Sequence, residues 1–262
     1  MARNVQFTVF TKPWKMPLPE LGNYVKALGF DGVELPIRPG YQVEPQAVGK
    51  GLPEAAKVLK DCGVRISTVA GPTDEATIAA CAEAGVPIIR ICVSIDLEIG
   101  YMATEARLQE QYDAMVPLLE RYGVAIGIQN HCDFCVCNAM GIRHLIEQYD
   151  PRHFCAVLDP AHCGLDGEAP ELAIDIVWSH LRVVNLKSAY WVRTNGLEAE
   201  AAEWKSYWTT GRHGLALWPR VAAELKKRQF TGEVCLTAEY SDHDSVDRLI
   251  AQDFAFAKSL FA

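Results

Sequence analysis

The chain has 262 residues, 50% of them hydrophobic and 22% charged, and its formal net charge is −8 at pH 7. This composition provides enough apolar side chains for a sizeable core and excludes an intrinsically disordered chain. No apolar run approaches the ~18 residues of a membrane span. The acidic balance argues against a nucleic-acid surface, where a basic stripe is expected. We therefore expect a small-molecule partner, with neither nucleic acid nor membrane involved.

Nine cysteines, an odd number without the spacing of a disulfide framework, are expected to be reduced thiols. The first residues lead directly into a strand-like pattern with no signal peptide, so the expected location is cytoplasmic. The Cys-x-x-Cys-x-Cys segment at 132–137 has no second pair of ligands downstream, and no structural zinc site is predicted there.

Eight short apolar runs are predicted as strands, and the segments between them have the periodicity of amphipathic helices. In chain order the predicted strands are Val5–Phe10, Gly32–Leu35, Arg65–Val69, Ile88–Ile91, Val124–Gln129, Phe154–Leu158, Leu181–Leu186 and Val234–Glu239. The last two helices are predicted over Leu217–Lys227 and Ser245–Leu260. Four helical patterns end in a glycine that is followed directly by an apolar run, a join typical of short helix-to-strand loops. This repetition predicts alternating strands and helices, and hence a parallel sheet.

Eight strands alternating with about eight helices predict a single (β/α)8 TIM barrel, with residues 1–262 as one domain. The competing doubly wound open sheet usually has a glycine-rich turn after its first strand, and residues 11–14 contain no glycine. The one long connection, Ser188–Gly214 between strands seven and eight, is rich in tryptophan. We expect substrate specificity to reside there, and the same loop is a candidate contact for a homodimer.

Five predicted strands end in polar side chains, at the end of the barrel where TIM-barrel enzymes place their catalytic groups. These side chains are Glu34 on strand two, Gln129 and His131 at strand five, Asp159 and His162 after strand six, Asn185 and Lys187 at strand seven, and Glu239 on strand eight. Each has a simpler explanation on its own: Asp159 as a helix cap, or Glu34 as the partner of Arg38 in a surface ion pair. Together they predict one polar mouth.

These strand ends resemble the xylose-isomerase-like sugar isomerase/epimerase superfamily over nearly the whole chain. The similar motifs are Gly-Phe-Asp-Gly-Val-Glu-Leu at 29–35, Asn-His at 130–131, Asp-x-x-His at 159–162, Asn-Leu-Lys at 185–187 and Glu239. The resemblance implies a divalent ion, Mn²⁺ or Mg²⁺ with Zn²⁺ as an alternative, which positions the carbonyl and hydroxyl of a sugar. In the family the ion is held by Glu, Asp, His and Glu. The matching positions here are Gln129, Asp159, Asn185 and Glu239.

Two of these positions depart from the family pattern, with Gln129 in place of Glu and Asn185 in place of His. Amide oxygens bind hard cations more weakly than carboxylates or imidazoles, so we expect a loosely held ion or none. His131 and His162 are alternative nitrogen ligands, although substrate contact is the preferred interpretation for both. Because Gln129 cannot carry a proton, Glu239 is left as the obvious base.

The first function expected is a metal-assisted isomerase or epimerase that abstracts a proton next to the carbonyl of a sugar or keto-sugar. Glu239 is the predicted base, the metal or Lys187 stabilises the oxyanion, and His131 is a further catalytic candidate. The predicted substrate-binding residues are Glu34, Arg38, His162, Trp191 and Arg212. One alternative is a lyase or dehydratase of keto-sugars or cyclitols using one-base β-elimination, and another is a non-catalytic barrel that binds a sugar or a partner. Phosphodiesterase action on damaged DNA, a third, is disfavoured by the negative charge.

Overall fold

The structure, a computed structural model, describes residues 5–262. Its strands are β1 (Gln6–Phe10), β2 (Gly32–Pro36), β3 (Arg65–Ala70), β4 (Ile88–Cys92), β5 (Ala125–Gln129), β6 (Phe154–Leu158), β7 (Leu181–Leu186), β8 (Ser188–Arg193), β9 (Trp204–Thr209) and β10 (Glu233–Leu236). Its α-helices are α1 (Leu18–Leu28), α2 (Val48–Asp61), α3 (Glu75–Ala84), α4 (Tyr101–Tyr122), α5 (Ala139–Ile146), α6 (Pro160–Leu165), α7 (Pro170–Val177), α8 (Trp218–Lys227) and α9 (Val246–Leu260).

Eight parallel strands, β1 to β7 and β10, form a closed barrel, in which β10 pairs with both β7 and β1. The predicted (β/α)8 TIM barrel is therefore confirmed. The prediction of one domain over 1–262 also includes residues 1–4, which lie outside the described residues. Glycines end the helices as expected: Gly29 after α1 and Gly123 after α4 are both in the left-handed conformation, with φ of 94° and 65°.

The barrel has two buried apolar layers. The larger one lies between the strands and the surrounding helices. A smaller cluster comes from the alternate strand residues and packs inside the barrel below its mouth; its members are Phe10, Ala70, Ile88, Ala125, Cys155, Val157, Val183 and Cys235. Because side chains fill the interior, polar groups at the carboxyl ends of the strands have an apolar floor beneath them.

The structure differs from the predicted elements after β7. The long connection contains an antiparallel hairpin, β8–β9, in which Ser188 is paired with Thr209 and Arg193 with Trp204. The last barrel strand ends at Leu236, three residues earlier than predicted, because Ala238 takes a left-handed conformation with φ of 52°. Glu239 therefore lies on a loop beyond the strand. A homodimer through the tryptophan-rich connection stays a prediction.

Within the described part of the chain, none of the helices combines the length and the apolar composition that a bilayer crossing requires.

Candidate active site

Two lysines and two carboxylates alternate at the carboxyl-terminal mouth of the barrel. Lys187 directly follows β7, and its ammonium nitrogen lies 3.4 Å from Oδ2 of Asp159 and 3.2 Å from Oε2 of Glu239. Lys12, two residues after β1, contacts the other oxygen of Glu239 at 2.5 Å. The formal charges of the four side chains sum to zero, so the carboxylates are neutralised within the site.

Asp159 is held rigidly at the start of α6. Its Oδ1 accepts the N–H of Ala161 at 3.0 Å and so caps the helix, while its Oδ2 accepts a hydrogen bond of 2.7 Å from Nε2 of Gln129. The Asn130 amide holds the Asp159 backbone from both sides, accepting its N–H at 2.7 Å and donating to its carbonyl at 3.0 Å. The helix-cap explanation of Asp159 thus holds alongside its place in the cluster.

The two predicted histidines lie together, with ring centroids 4.1 Å apart. His162 is fully buried in α6, and its Nδ1 accepts the backbone N–H of Cys132 at 3.0 Å. Its Nε2 lies 3.6 Å from Asp159 and has no hydrogen-bond partner among residues 5–262. Burial, aided by the nearby Lys187 charge, holds the pKa of His162 far below its ordinary value, so the ring is neutral.

The lysines and the burial of the site set the protonation states. Burial acts to raise the pKa of Glu239, but Lys187 and Lys12 outweigh it and lower that pKa to about 2. Burial acts to lower the pKa of Lys187, but Asp159 and Glu239 outweigh it and raise that pKa above its ordinary value. Burial also raises the pKa of Asp159, against the opposing charge of Lys187. At neutral pH Glu239 is therefore ionised and Lys187 protonated.

The cluster borders two adjoining pockets, an inner one of about 100 Å³ and an outer one of about 490 Å³. Both have Lys12, His131, Lys187 and Glu239 in their walls. The Glu239 side chain is 25% exposed, whereas the Lys187 side chain is only 5% exposed. A small molecule entering from solvent would therefore meet Glu239 before Lys187.

The inner pocket also contains polar atoms without a protein partner. Neither the amide oxygen nor the amide nitrogen of Asn185 is hydrogen-bonded within residues 5–262, and the same is true of the Thr237 hydroxyl. Both residues are buried. A buried polar group left unpaired costs about 1–3 kcal/mol, so these groups are suited to receive the hydroxyls of a ligand.

Glu34 is fully buried inside the barrel and forms an ion pair with Arg90, whose Nε lies 3.1 Å from Oε1. The Thr68 hydroxyl donates to its other oxygen at 3.2 Å. Glu34 therefore pairs with Arg90 and not with Arg38. Arg90 and Arg38 both line the inner pocket and flank the ring of Phe10. A direct substrate contact by Glu34 stays a prediction: Glu34 is not among the lining residues of either pocket, whereas its partner Arg90 lines the inner one.

Two of the predicted substrate-binding residues lie apart from this cluster. Trp191 of β8 donates its indole N–H to a backbone carbonyl of α6 at 3.0 Å. Arg212 lies over the Phe256 ring at 3.8 Å, in a separate groove of about 620 Å³ beside α9. The aromatic wall of the site is instead Trp208 of β9, whose ring centroid is 4.4 Å from the Lys187 nitrogen.

Two charged residues of the site, Lys12 and Arg90, were missed by the sequence predictions. Lys12 follows β1 as closely as His131 follows β5, so the rule applied to the other strand ends would have found it. Arg90 interrupts an apolar strand, and a charge in such a run needs a buried partner. That partner is the carboxylate of Glu34.

The predicted ligand set does not fit a divalent cation in this arrangement. The Lys187 ammonium lies between the carboxylates of Asp159 and Glu239, and Gln129 directs its amide N–H, not its oxygen, at Asp159. A cation needs oxygen lone pairs that are free to converge on it. Here each carboxylate oxygen already accepts one hydrogen bond, and the ammonium of Lys187 lies against both carboxylates.

A second group of potential ligands in the described part of the chain is His131, Cys132 and His162, whose ligand atoms lie within 4.8 Å of one another. His162 already uses the lone pair of Nδ1 to accept the Cys132 N–H, so its Nε2 carries the hydrogen. Neither nitrogen of that ring is then available to a Zn²⁺ ion. This group therefore does not provide three ligands.

The sequence from residue 23 to residue 260 matches a family profile described as xylose isomerase-like TIM barrel. No curated protein matches the sequence. Among solved structures, D-psicose 3-epimerase from Clostridium cellulolyticum H10 is similar at 14% identity and TM-score 0.74, covering 98% of this chain and 99% of that one.

Two further solved structures are similar. One is a 3-keto-D-glucoside 4-epimerase from E. coli, with 13% identity, TM-score 0.70 and coverage of 97% of this chain and 99% of that one. The other is the probable 3-DHS dehydratase involved in petrobactin synthesis from Bacillus anthracis, with 11% identity, TM-score 0.71 and the same coverage. At these identities the likeness shows the shared fold.

Proposed function

The chain belongs to the xylose isomerase-like TIM barrel family, and from this premise we propose that it is an isomerase or epimerase that moves a proton next to the carbonyl of a sugar or keto-sugar. The observation that carries the proposal is the inner pocket. There the ionised Glu239 and the charged Lys187 adjoin the unpartnered polar groups of Asn185 and Thr237. Enolisation needs a base and a hydrogen-bond donor for the oxyanion, and a sugar needs partners for its hydroxyls.

In the proposed reaction Glu239 takes the proton from the carbon next to the carbonyl. The electron pair of the C–H bond moves toward the carbonyl oxygen and forms an enediolate, whose oxygen accepts a hydrogen bond from Lys187. Lys187 and Lys12 together make Glu239 a weak base, with a pKa of about 2. A substrate oxygen that accepts a hydrogen bond from either lysine weakens the interaction of that lysine with Glu239. The pKa of Glu239 then rises, and Glu239 becomes a stronger base.

The remaining residues have supporting roles in this proposal. His131, which lines both pockets, is the candidate for a second proton transfer, the one that protonates a carbon of the enediolate and gives the product. The Nε2–H of His162 is a candidate donor to a substrate hydroxyl. No step involves a divalent cation, because the carboxylates of Asp159 and Glu239 are already paired with Lys187.

A dehydratase or lyase acting on a keto-sugar or cyclitol is the second candidate, favoured by the presence of one base. The position of a second family glutamate holds Gln129, which cannot exchange a proton and is hydrogen-bonded to Asp159. One-base β-elimination shares the first step: Glu239 takes the proton, and the hydroxyl on the next carbon then leaves with the electron pair of its bond and takes the proton back from Glu239, departing as water. The fold it shares with the probable 3-DHS dehydratase is compatible with this alternative.

Proton exchange tests both candidates. Purified protein is incubated in D₂O with a panel of ketohexoses, 3-keto-glycosides and keto-cyclitols, and deuterium next to the carbonyl is followed by NMR. We expect incorporation by the wild type, with an epimeric or isomeric product for the first candidate and an unsaturated product for the second. Glu239→Gln should reduce exchange by at least ~10³-fold, since it removes the base.

Glu233→Gln is the matched control, because Glu233 begins β10, the strand that Glu239 follows, and so lies at the opposite end of the barrel. It should retain the exchange of the wild type. If the wild type exchanged no proton of any compound in the panel but bound one of them, the non-catalytic sugar-binding barrel would replace the proposal. Retention of full activity by Glu239→Gln would assign the base elsewhere.

A further inference from the structure

Lys187 lies against the ligand set that the family resemblance assigns to a cation. Its ammonium contacts two members of that set, Asp159 at 3.4 Å and Glu239 at 3.2 Å, and it lines the inner pocket together with the other two, Gln129 and Asn185. We infer that the Lys187 ammonium replaces the divalent cation in this chain, so that the barrel is a metal-independent member of its family. The catalytic role that this inference gives to Lys187 rests on the proposed function, whereas the statement that the site does not bind a divalent cation does not.

The charges around Lys187 support the replacement. The two carboxylates contribute two negative charges, and Lys187 and Lys12 contribute two positive ones. A divalent cation added to this neutral cluster, in which Asp159 and Lys187 are buried, would leave an excess charge of +2 and would displace an ammonium from both of its carboxylate partners. Uncompensated buried charge costs several kcal/mol.

The two amide side chains beside Lys187 also favour an ammonium over a divalent cation. Gln129 donates N–H to Asp159, because a carboxylate accepts hydrogen bonds and the amide oxygen would repel it. The Gln129 oxygen is directed at the thiol of Cys92 instead. At the family's imidazole position, Asn185 offers an amide whose oxygen binds a divalent cation weakly. Both departures from the family pattern weaken binding of a cation and are compatible with an ammonium.

Lys187 is also fixed in position, as an electrophile must be. Its side chain is 5% exposed, and its nitrogen lies 4.4 Å from the centroid of the Trp208 ring, within cation–π range. An ammonium has three donors. One is hydrogen-bonded to Glu239, and Asp159 is an ion-pair partner at 3.4 Å, so at least one donor remains for the oxygen of a bound carbonyl compound. In the proposed enolisation this donor stabilises the oxyanion while Glu239 holds the proton.

Mn²⁺ binding tests the inference without an activity measurement. Chelator-treated protein is titrated with Mn²⁺, and free Mn²⁺ is measured by electron paramagnetic resonance. We expect no binding by the wild type at micromolar metal, and an increase in Mn²⁺ affinity of at least tenfold in Lys187→Met, which leaves two carboxylates without their shared cation. Lys187→Arg, which keeps the charge, is the control and should bind no better than the wild type.

Stoichiometric micromolar Mn²⁺ binding by the wild type would overturn the inference. The titration of the wild type alone is therefore a sufficient test, even if Lys187→Met does not fold. Because Lys187 takes the place of the cation in catalysis, we expect excess EDTA to leave wild-type proton exchange unchanged. Failure of the proposed function would be seen differently, as an absence of exchange with every compound in the panel, whether or not Mn²⁺ binds.

Discussion

Thr237 and Asn185 are buried residues whose polar side-chain atoms have no hydrogen-bond partner among the described residues. Each lines the inner pocket with a polar atom that no other residue of the described chain satisfies. Because folding leaves few buried polar groups unpaired, such atoms at a pocket wall point to a ligand that pairs with them. They are also close in the fold, since the Thr237 N–H donates to the carbonyl of Leu186, the residue after Asn185.

Thr237→Val removes the hydroxyl and keeps the shape of the side chain. We expect KM for the substrate to rise about 2- to 10-fold, which corresponds to the ~0.5–1.5 kcal/mol of a neutral hydrogen bond, while the free energy of unfolding stays the same or increases. Steady-state kinetics and urea unfolding measure the two effects. Thr8→Val, at a buried threonine of β1 that does not line the pocket, is the control and should leave KM unchanged. An equal rise of KM in both variants would contradict the assignment.

Arg90 and Glu34 form a buried ion pair below the site, and the pair supports the barrel through charge balance. Arg90→Met leaves the Glu34 carboxylate buried without its partner, so we expect the free energy of unfolding to fall by about 3–5 kcal/mol. Urea denaturation measures the loss. The double variant Arg90→Met/Glu34→Gln removes the unpaired charge and should recover part of it. If the double variant were less stable than Arg90→Met alone, charge burial would not be the cause.

At the scale of elements, α6 and the β8–β9 hairpin enclose the site together. α6 carries His162, and β9 carries Trp208, whose ring centroid is 5.3 Å from that of His162. The hairpin is connected to the loop after Glu239 by a pair of hydrogen bonds between Trp208 and Ser241. A displacement of the hairpin would therefore move the aromatic wall away from Lys187.

Gly164 lets α6 approach the segment after the hairpin. A Cβ at this position would lie 2.7 Å from the carbonyl oxygen of Leu215, a backbone atom that cannot move aside cheaply. We expect Gly164→Ala to lower the free energy of unfolding by about 1–3 kcal/mol, as overpacking does. Gly49→Ala in α2 is the matched control: its Cβ would meet nothing within 4 Å, so it should be neutral or stabilising by up to ~1 kcal/mol. Thermal unfolding of both variants tests the expected difference in sign.

At the scale of the whole molecule, periodicity and glycine positions were enough to predict the barrel. The bounds of β6 and β7 were predicted without error, because a continuous apolar run between polar turns has one strand interpretation. The partners in the site were not predictable. Whether Glu34 pairs with Arg38 or Arg90 depends on which of these side chains points into the barrel. That orientation is set by the packing of distant strands and cannot be read from the local sequence. The hairpin was missed because its strands, 188–193 and 204–209, have few buried residues and lack the apolar pattern of the barrel strands.

Asp253 connects three distant parts of the chain around the site. From α9, its carboxylate accepts the N–H of Gly211 at 3.0 Å and the hydroxyl of Tyr240, the residue after Glu239, at 2.8 Å. Burial raises its pKa from 3.8 to about 6, although these two donors and the nearby Arg212 and His213 act to lower it. The folded protein thus retains a proton on this carboxyl to higher pH than the unfolded chain does.

The pH dependence of stability follows from that difference at Asp253. Between pH 3.8 and about 6 the folded state binds more protons than the unfolded state, so the contribution of Asp253 to the free energy of unfolding falls as the pH rises through this interval. The total is on the order of 3 kcal/mol. Asp253→Asn cannot ionise, so urea unfolding from pH 4 to pH 7 should show this decrease removed relative to the wild type. Asp244→Asn, at an exposed position, should keep the wild-type dependence. An unchanged slope in Asp253→Asn would mean that the carboxyl ionises alike in both states.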